Sequence, residues 1–191
     1  IYLIERNVPI TTMIDRASAA REMVKRNGRH AFAYYDFALH RRLIAQKEME
    51  NSMHASLRQG HFIVFFQPKY NLDTMKMAGA EALVRWEHPV NGVISPRDFI
   101  PIFEKNSFVM ELDYHVFEKV CALLQQWQNE GREIVPISVN FSRLHLSADK
   151  QFIERLLEIV QEYKISPRLL EIEFTESAFV DEHYDAAAIT E

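Results

Sequence analysis

From residue 61 onward, short β-rich runs alternate with longer amphipathic ones, and no other feature constrains the fold as tightly. HFIVFFQP (61–68) reads as a strand, Asn71 to Thr74 as a turn, and Met75 to Trp86 as a second strand. Ser95-Pro96 predicts an N-cap and first position of a short helix. An amphipathic helix follows from Leu112 to Glu130, stopped by Gly131, then a strand from Ile134 to Asn140. A helix from Asp149 to Tyr163, a strand from Leu169 to Thr175 and a helix from Asp181 to Glu191 complete the pattern. Such alternation predicts an α/β fold of βα units around a parallel sheet.

Within that order, GAEALVRWEHP (79–89) poses a choice. As a helix, Glu81 and Arg85 would be an i,i+4 pair on a solvated face, worth roughly 0.2–0.5 kcal/mol. As a strand, Glu81, Leu83 and Arg85 share one face while Ala80, Ala82, Val84 and Trp86 share the other. Ala and Glu favour the helix locally, but the surrounding alternation selects the strand.

The upstream part reads differently. Ile1 to Ile4 looks like a short strand, and Thr11 or Thr12 caps a helix running to Asn27 with Gly28 as its stop. HAFAYYD (30–36) alternates like a strand. This piece is too short to build a core alone, so it reads as the tail of a domain lying upstream. Asp36 then caps a long helix reaching Gly60, read as a connector over residues 37–60.

Composition limits the partners. The net charge of −5 argues against binding the phosphate backbone of a polymeric nucleic acid. No apolar run reaches the roughly 18–20 residues that span a bilayer. The single Cys121 excludes an intramolecular disulfide, reads as a buried packing residue, and points to a reducing, cytoplasmic compartment.

Three strands carry polar groups on one side, late in their length. These are Glu81 with Arg85, then Ser138, Asn140 and Ser142, then Glu171, Glu173 and Thr175. In α/β sheets functional groups collect at the carboxyl ends of strands. Glu81, Asn140 and Glu173 offer only hard oxygen ligands, which suit magnesium, manganese or calcium and not zinc. The eight histidines show no zinc spacing. A solvated face of an antiparallel sheet would give the same alternation, and the residues alone leave both readings open.

The runs FFQPKYNL, GAEALVRWEHP, GVISPRDFIPIFEK, SVNFSRLHL and EIEFTES, in this order, closely resemble the EAL domain family. The resemblance covers about residues 57–180. It implies a (β/α)8 TIM-like barrel, of which 61–191 would form roughly the first half, and a phosphodiesterase hydrolysing cyclic di-GMP to pGpG with Mg2+ or Mn2+, two ions in the complete domain. It further implies Glu81, Asn140 and Glu173 as metal ligands and Gln67, Leu83 and Arg85 as substrate contacts. Glu176 resembles a residue that steadies an active-site loop. A guanidinium such as Arg85 is apt for a phosphate. IDRASAAREMVKRNGRHAFAYYD is similar to the carboxy-terminal end of a GGDEF domain, which assigns residues 1–36 to that remnant.

The family continues beyond this pattern with a paired aspartate motif, a lysine and a further glutamate, so residues 1–191 alone are expected to be inactive and poorly soluble. Three functions follow from the resemblance and the pattern: a metal-dependent phosphodiesterase, an EAL domain that binds cyclic di-GMP and signals without hydrolysis, and a module whose connector helix pairs two protomers as a homodimer.

Overall fold

The opening N–H groups of a helix need acceptors from outside it, and Asp36 supplies one: its Oδ1 accepts from the Leu39 amide at 2.7 Å. Helix α2, Phe37–Arg58, begins there, and Gly60 beyond its end takes φ +76, a left-handed conformation that glycine enters without strain. A computed structural model describes residues 1–4, 6–27, 32 and 34–174. The chain divides into two compact units, Ile1–Ser52 and Met53–Glu191.

In the first unit, helix α1 spans Ile10–Asn27. It starts one residue before the expected caps, so Thr11 and Thr12 lie inside the helix. Ile1 to Ile4 forms no strand, although the Tyr35 amide donates to the Ile1 carbonyl at 2.8 Å. Residues 32 and 34–36 are likewise outside any strand among the described residues; Gly28, His30, Ala31 and Ala33 fall outside them. Arg16 donates to the Tyr2 hydroxyl at 2.6 Å and lies over the Tyr2 and Tyr35 rings.

The second unit carries the sheet. Strand β1 is Phe62–Tyr70, β2 Met77–His88, β3 Gly92–Ile94, β4 Ile137–Phe141 and β5 Leu170–Phe174. Helices α3 (Pro96–Lys105), α4 (Phe108–Asn129), α5 (Leu144–Ala148) and α6 (Phe152–Glu162) lie between them. The strand order is β1-β2-β4-β5, with β3 paired to β2. β2, β4 and β5 run parallel, as the alternation predicts. β1 and β3 run antiparallel to β2, which corrects the all-parallel expectation. The reason is local. Asn71 Oδ1 accepts from the Asp73 and Thr74 amides at 3.0 and 2.9 Å, an Asx turn too short for a crossover, so β1 returns as a hairpin.

The remaining differences are at ends and in short pieces. β3 and α5 carry too few residues to declare a period. Ser95 sits at the N-cap of α3 in extended conformation with Pro96 following, but its side chain makes no capping bond. The predicted helix 181–191 lies outside the described residues.

Aromatic side chains bind the sheet to the helices. Phe62 and Trp86 are fully buried with ring centroids 5.0 Å apart, and Phe103 and Phe108 stack edge to face at 4.8 Å. Each such burial contributes about 1.5–3 kcal/mol. Cys121 is fully buried and its thiol is pushed up to about 12 by burial, then by Glu118, so it packs as a small apolar group. Gly79 begins the β2–β4 contact: the next amide, Ala80, donates to the Pro136 carbonyl at 2.9 Å, and a Cβ on Gly79 would lie 2.9 Å from that same oxygen.

Candidate functional site

Side chains two apart on a strand share a face, and paired neighbours on adjacent strands share it too. The register pairs Gln67 with Glu81, Glu81 with Ser138, and Ser138 with Glu171. One step further along, Asn140 pairs with Glu173. Glu81, Asn140 and Glu173 therefore occupy one face of three adjacent strands. Asn140 Nδ2 donates to Glu81 Oε1 at 2.7 Å, which leaves the amide oxygen of Asn140 free of that bond.

Lys69, two residues past Gln67, joins the same face. Its Nζ donates to Glu173 Oε1 at 2.7 Å and Ser138 Oγ at 2.8 Å, and lies 3.6 Å from Glu171 Oε2. The ammonium's hydrogen bond holds the Glu173 carboxyl below its usual range, and Glu173 in turn raises the lysine. Lys69 was missed in the sequence reading. The predicted strand ends at Pro68, whereas β1 runs on to Tyr70 and so carries Lys69 on the face of Gln67.

Arg85 lies further along β2, half-buried, its Nη1 donating to the Val84 carbonyl at 2.8 Å. Leu83, between Glu81 and Arg85 on that face, pairs with Phe65. A pocket of about 210 Å³ opens here, lined in part by Leu83, Arg85, Ile100, Glu104 and Asn140. A larger cleft of about 490 Å³, lined by Phe66, Pro68, Tyr70 and Trp127 among others, holds none of these acids. Glu176 lies outside the described residues.

Ser142, grouped by alternation with Asn140, lies past the end of β4 and turns inward. Its amide donates to Asp113 Oδ2 at 2.8 Å and its hydroxyl to Glu104 Oε1 at 3.0 Å. The fully buried His145 presents Nε2 to the same Asp113 oxygen at 3.2 Å. Burial raises the Asp113 carboxyl against the lowering effect of these bonds. These contacts tie α4 to the loop just beyond Asn140.

The donor set on the sheet face is all oxygen, the choice of a hard divalent cation. Among the described residues no three side chains drawn from His, Cys, Asp and Glu form a ready-made cage. Here one of three donors is an amide, and one carboxylate already holds an ammonium. An ammonium seated between acids marks that face as a place favouring positive charge.

The EAL domain family model matches residues 50–191. The chain belongs to the EAL domain family. The sheet described above is accordingly part of a TIM-type barrel. This EAL chain is 27% identical over 161 residues to the bifunctional diguanylate cyclase/cyclic di-GMP phosphodiesterase MucR of Pseudomonas aeruginosa, covering 84% of this chain and 23% of MucR. A cyclic di-GMP phosphodiesterase of the same organism is 35% identical over 128 residues, 67% of this chain and 21% of that protein. The solved PaMucR phosphodiesterase in complex with c-di-GMP superimposes with a TM-score of 0.66 at 27% identity, covering 71% of this chain and 54% of that one. The EAL chain thus spans under a quarter of these two curated relatives and about half of the solved domain. Among its described residues no helix is long and apolar enough to cross a membrane.

Proposed function

We propose that this EAL domain is a divalent-metal-dependent phosphodiesterase that hydrolyses cyclic di-GMP to pGpG. The observation that carries the reading is the convergence of Glu81, Asn140 and Glu173 on one face of β2, β4 and β5, with Arg85 beyond them. In this reading the two carboxylates and the amide oxygen hold Mg2+ or Mn2+. The bound ion supplies Lewis-acid charge and an acidified water. Arg85 meets a phosphate with its guanidinium fork, and Gln67 and Leu83 contact the ligand beside it. Glu176 takes the part of the family residue that steadies an active-site loop. The Asp113–Ser142 bond fixes the end of β4 and with it the direction of Asn140.

The domain belongs, in this proposal, to a GGDEF–EAL protein of the cytoplasm, with residues 1–36 as the end of the GGDEF domain and 37–60 as the connector. The MucR alignment supports this, because it is longer than residues 50–191 can supply and so reaches upstream of them. The test is turnover of cyclic di-GMP by the full-length protein with Mg2+, with Mn2+ and with a chelator. Metal-dependent release of pGpG supports the enzyme. Binding of cyclic di-GMP without turnover in either metal overturns it in favour of a ligand sensor.

A further inference from the structure

We propose that Lys69 is a built-in counter-cation of this site: its ammonium holds the Glu173 carboxylate, and a divalent ion must compete with it for the charge of that ligand. The inference rests on the reading of Glu81, Asn140 and Glu173 as a cation site. Lys69 comes from β1 and Glu173 from β5, the two ends of the strand order β1-β2-β4-β5, so the side chain crosses two intervening strands. Its path runs beside Gly79, its partner on β2: a Cβ there would lie 4.0 Å from the lysine Cδ. The amine ends on three groups of the acidic face, Ser138, Glu171 and Glu173.

Two carboxylates close together on a sheet repel each other unless a positive charge sits between them. Lys69 supplies that charge from within the chain. The ammonium and a divalent ion compete for the negative charge of one Glu173 carboxylate, so the lysine lowers the affinity of the site while keeping its ligands in place. It is a positioning residue, since its contacts are with the ligands rather than with substrate.

The experiment titrates Mn2+ alone into the full-length protein and reads free Mn2+ by electron paramagnetic resonance, comparing wild type with Lys69→Met, Lys69→Gln and Lys69→Arg. Loss of the ammonium is expected to tighten Mn2+ roughly two- to fivefold in Lys69→Met, the scale of one partly exposed ion pair. Lys69→Gln is expected to behave likewise and serves if the methionine variant does not fold. Lys69→Arg keeps the charge and stays near wild type. In chelator, both neutral variants are expected to melt below wild type, with the larger gain in melting temperature on adding Mn2+. Unchanged or weaker Mn2+ binding in the neutral variants, with binding intact in wild type, overturns the role of Lys69 and leaves the cation site standing. Absence of Mn2+ binding in wild type overturns both.

Discussion

Asn140 Nδ2 donates to Glu81 Oε1 across 2.7 Å, joining two parallel strands through side chains 59 residues apart in sequence. An amide that spends its N–H₂ on one carboxylate turns its oxygen the other way. The bond holds the two side chains together across β2 and β4, and a cation shared by both is reached by rotating the Asn140 amide so that its oxygen takes the place of its nitrogen.

Glu81→Gln keeps the size of the side chain and removes its charge. Under the proposed function, turnover of cyclic di-GMP by the full-length protein is expected to fall at least about 100-fold, the scale of losing one charged group that stabilises a transition state. The thermal midpoint in chelator should stay near wild type, because the side chain is only half-buried and its Asn140 bond survives. Steady-state kinetics and a melting curve measured on the same preparation check both parts.

Arg85→Lys preserves charge and loses the planar fork. The expected result is a decrease in kcat/KM of about tenfold, equivalent to about 1.4 kcal/mol, with most of the change in KM. An unchanged KM would remove Arg85 from the substrate contacts.

Gly79→Val places a Cβ 2.9 Å from the Pro136 carbonyl, in the backbone of the neighbouring chain segment. The start of the β2–β4 pairing must shift to accommodate it. Urea unfolding is expected to show a loss of about 1–3 kcal/mol. Ser138 and Glu81 pair two residues further along, so the Mn2+ affinity of the folded variant should weaken as well.

Tyr114→Phe tests pH dependence at the α4–α6 contact. The Tyr114 hydroxyl donates to Asp149 Oδ2 and is the leading cause of that carboxyl lying below its ordinary value; His145 Nδ1, 3.9 Å away, and Arg155 add to it. A lowered carboxyl stabilises the fold above its unfolded value, about 3.9, and that contribution is lost as pH falls through the folded value. The variant is expected to be less stable by about 0.5–1.5 kcal/mol at pH 7. The difference should narrow below about pH 4. A gap that persists at pH 3 would place the effect in packing instead, since Arg155 also lies over the Tyr114 ring at 3.8 Å.

Sequence made some of these relationships visible and concealed others for physical reasons. Strand alternation exposed the Glu81, Asn140 and Glu173 face, because period-two patterning survives whatever the strands pair with. It could not reveal direction: β1 has the same alternation whether it runs parallel or antiparallel, and the decisive signal was the Asx turn at Asn71. It also grouped Ser142 with Asn140, although the strand ends between them and the side chain turns to Glu104. The pairing of Lys69 with Glu173, 104 residues apart, has no local signature at all.

The Asx turn also bears on the order in which the sheet is made. The loop between β1 and β2 spans only residues 71–76, so closing it costs little chain entropy, and such a hairpin zips on a timescale of about 1–10 μs. Joining Ala80 to Ile137 must draw together a far longer stretch containing α3 and α4. The reversed first strand therefore gives the chain an early template, already presenting Gln67, Lys69 and Glu81 side by side, on which the slower parallel partners can dock.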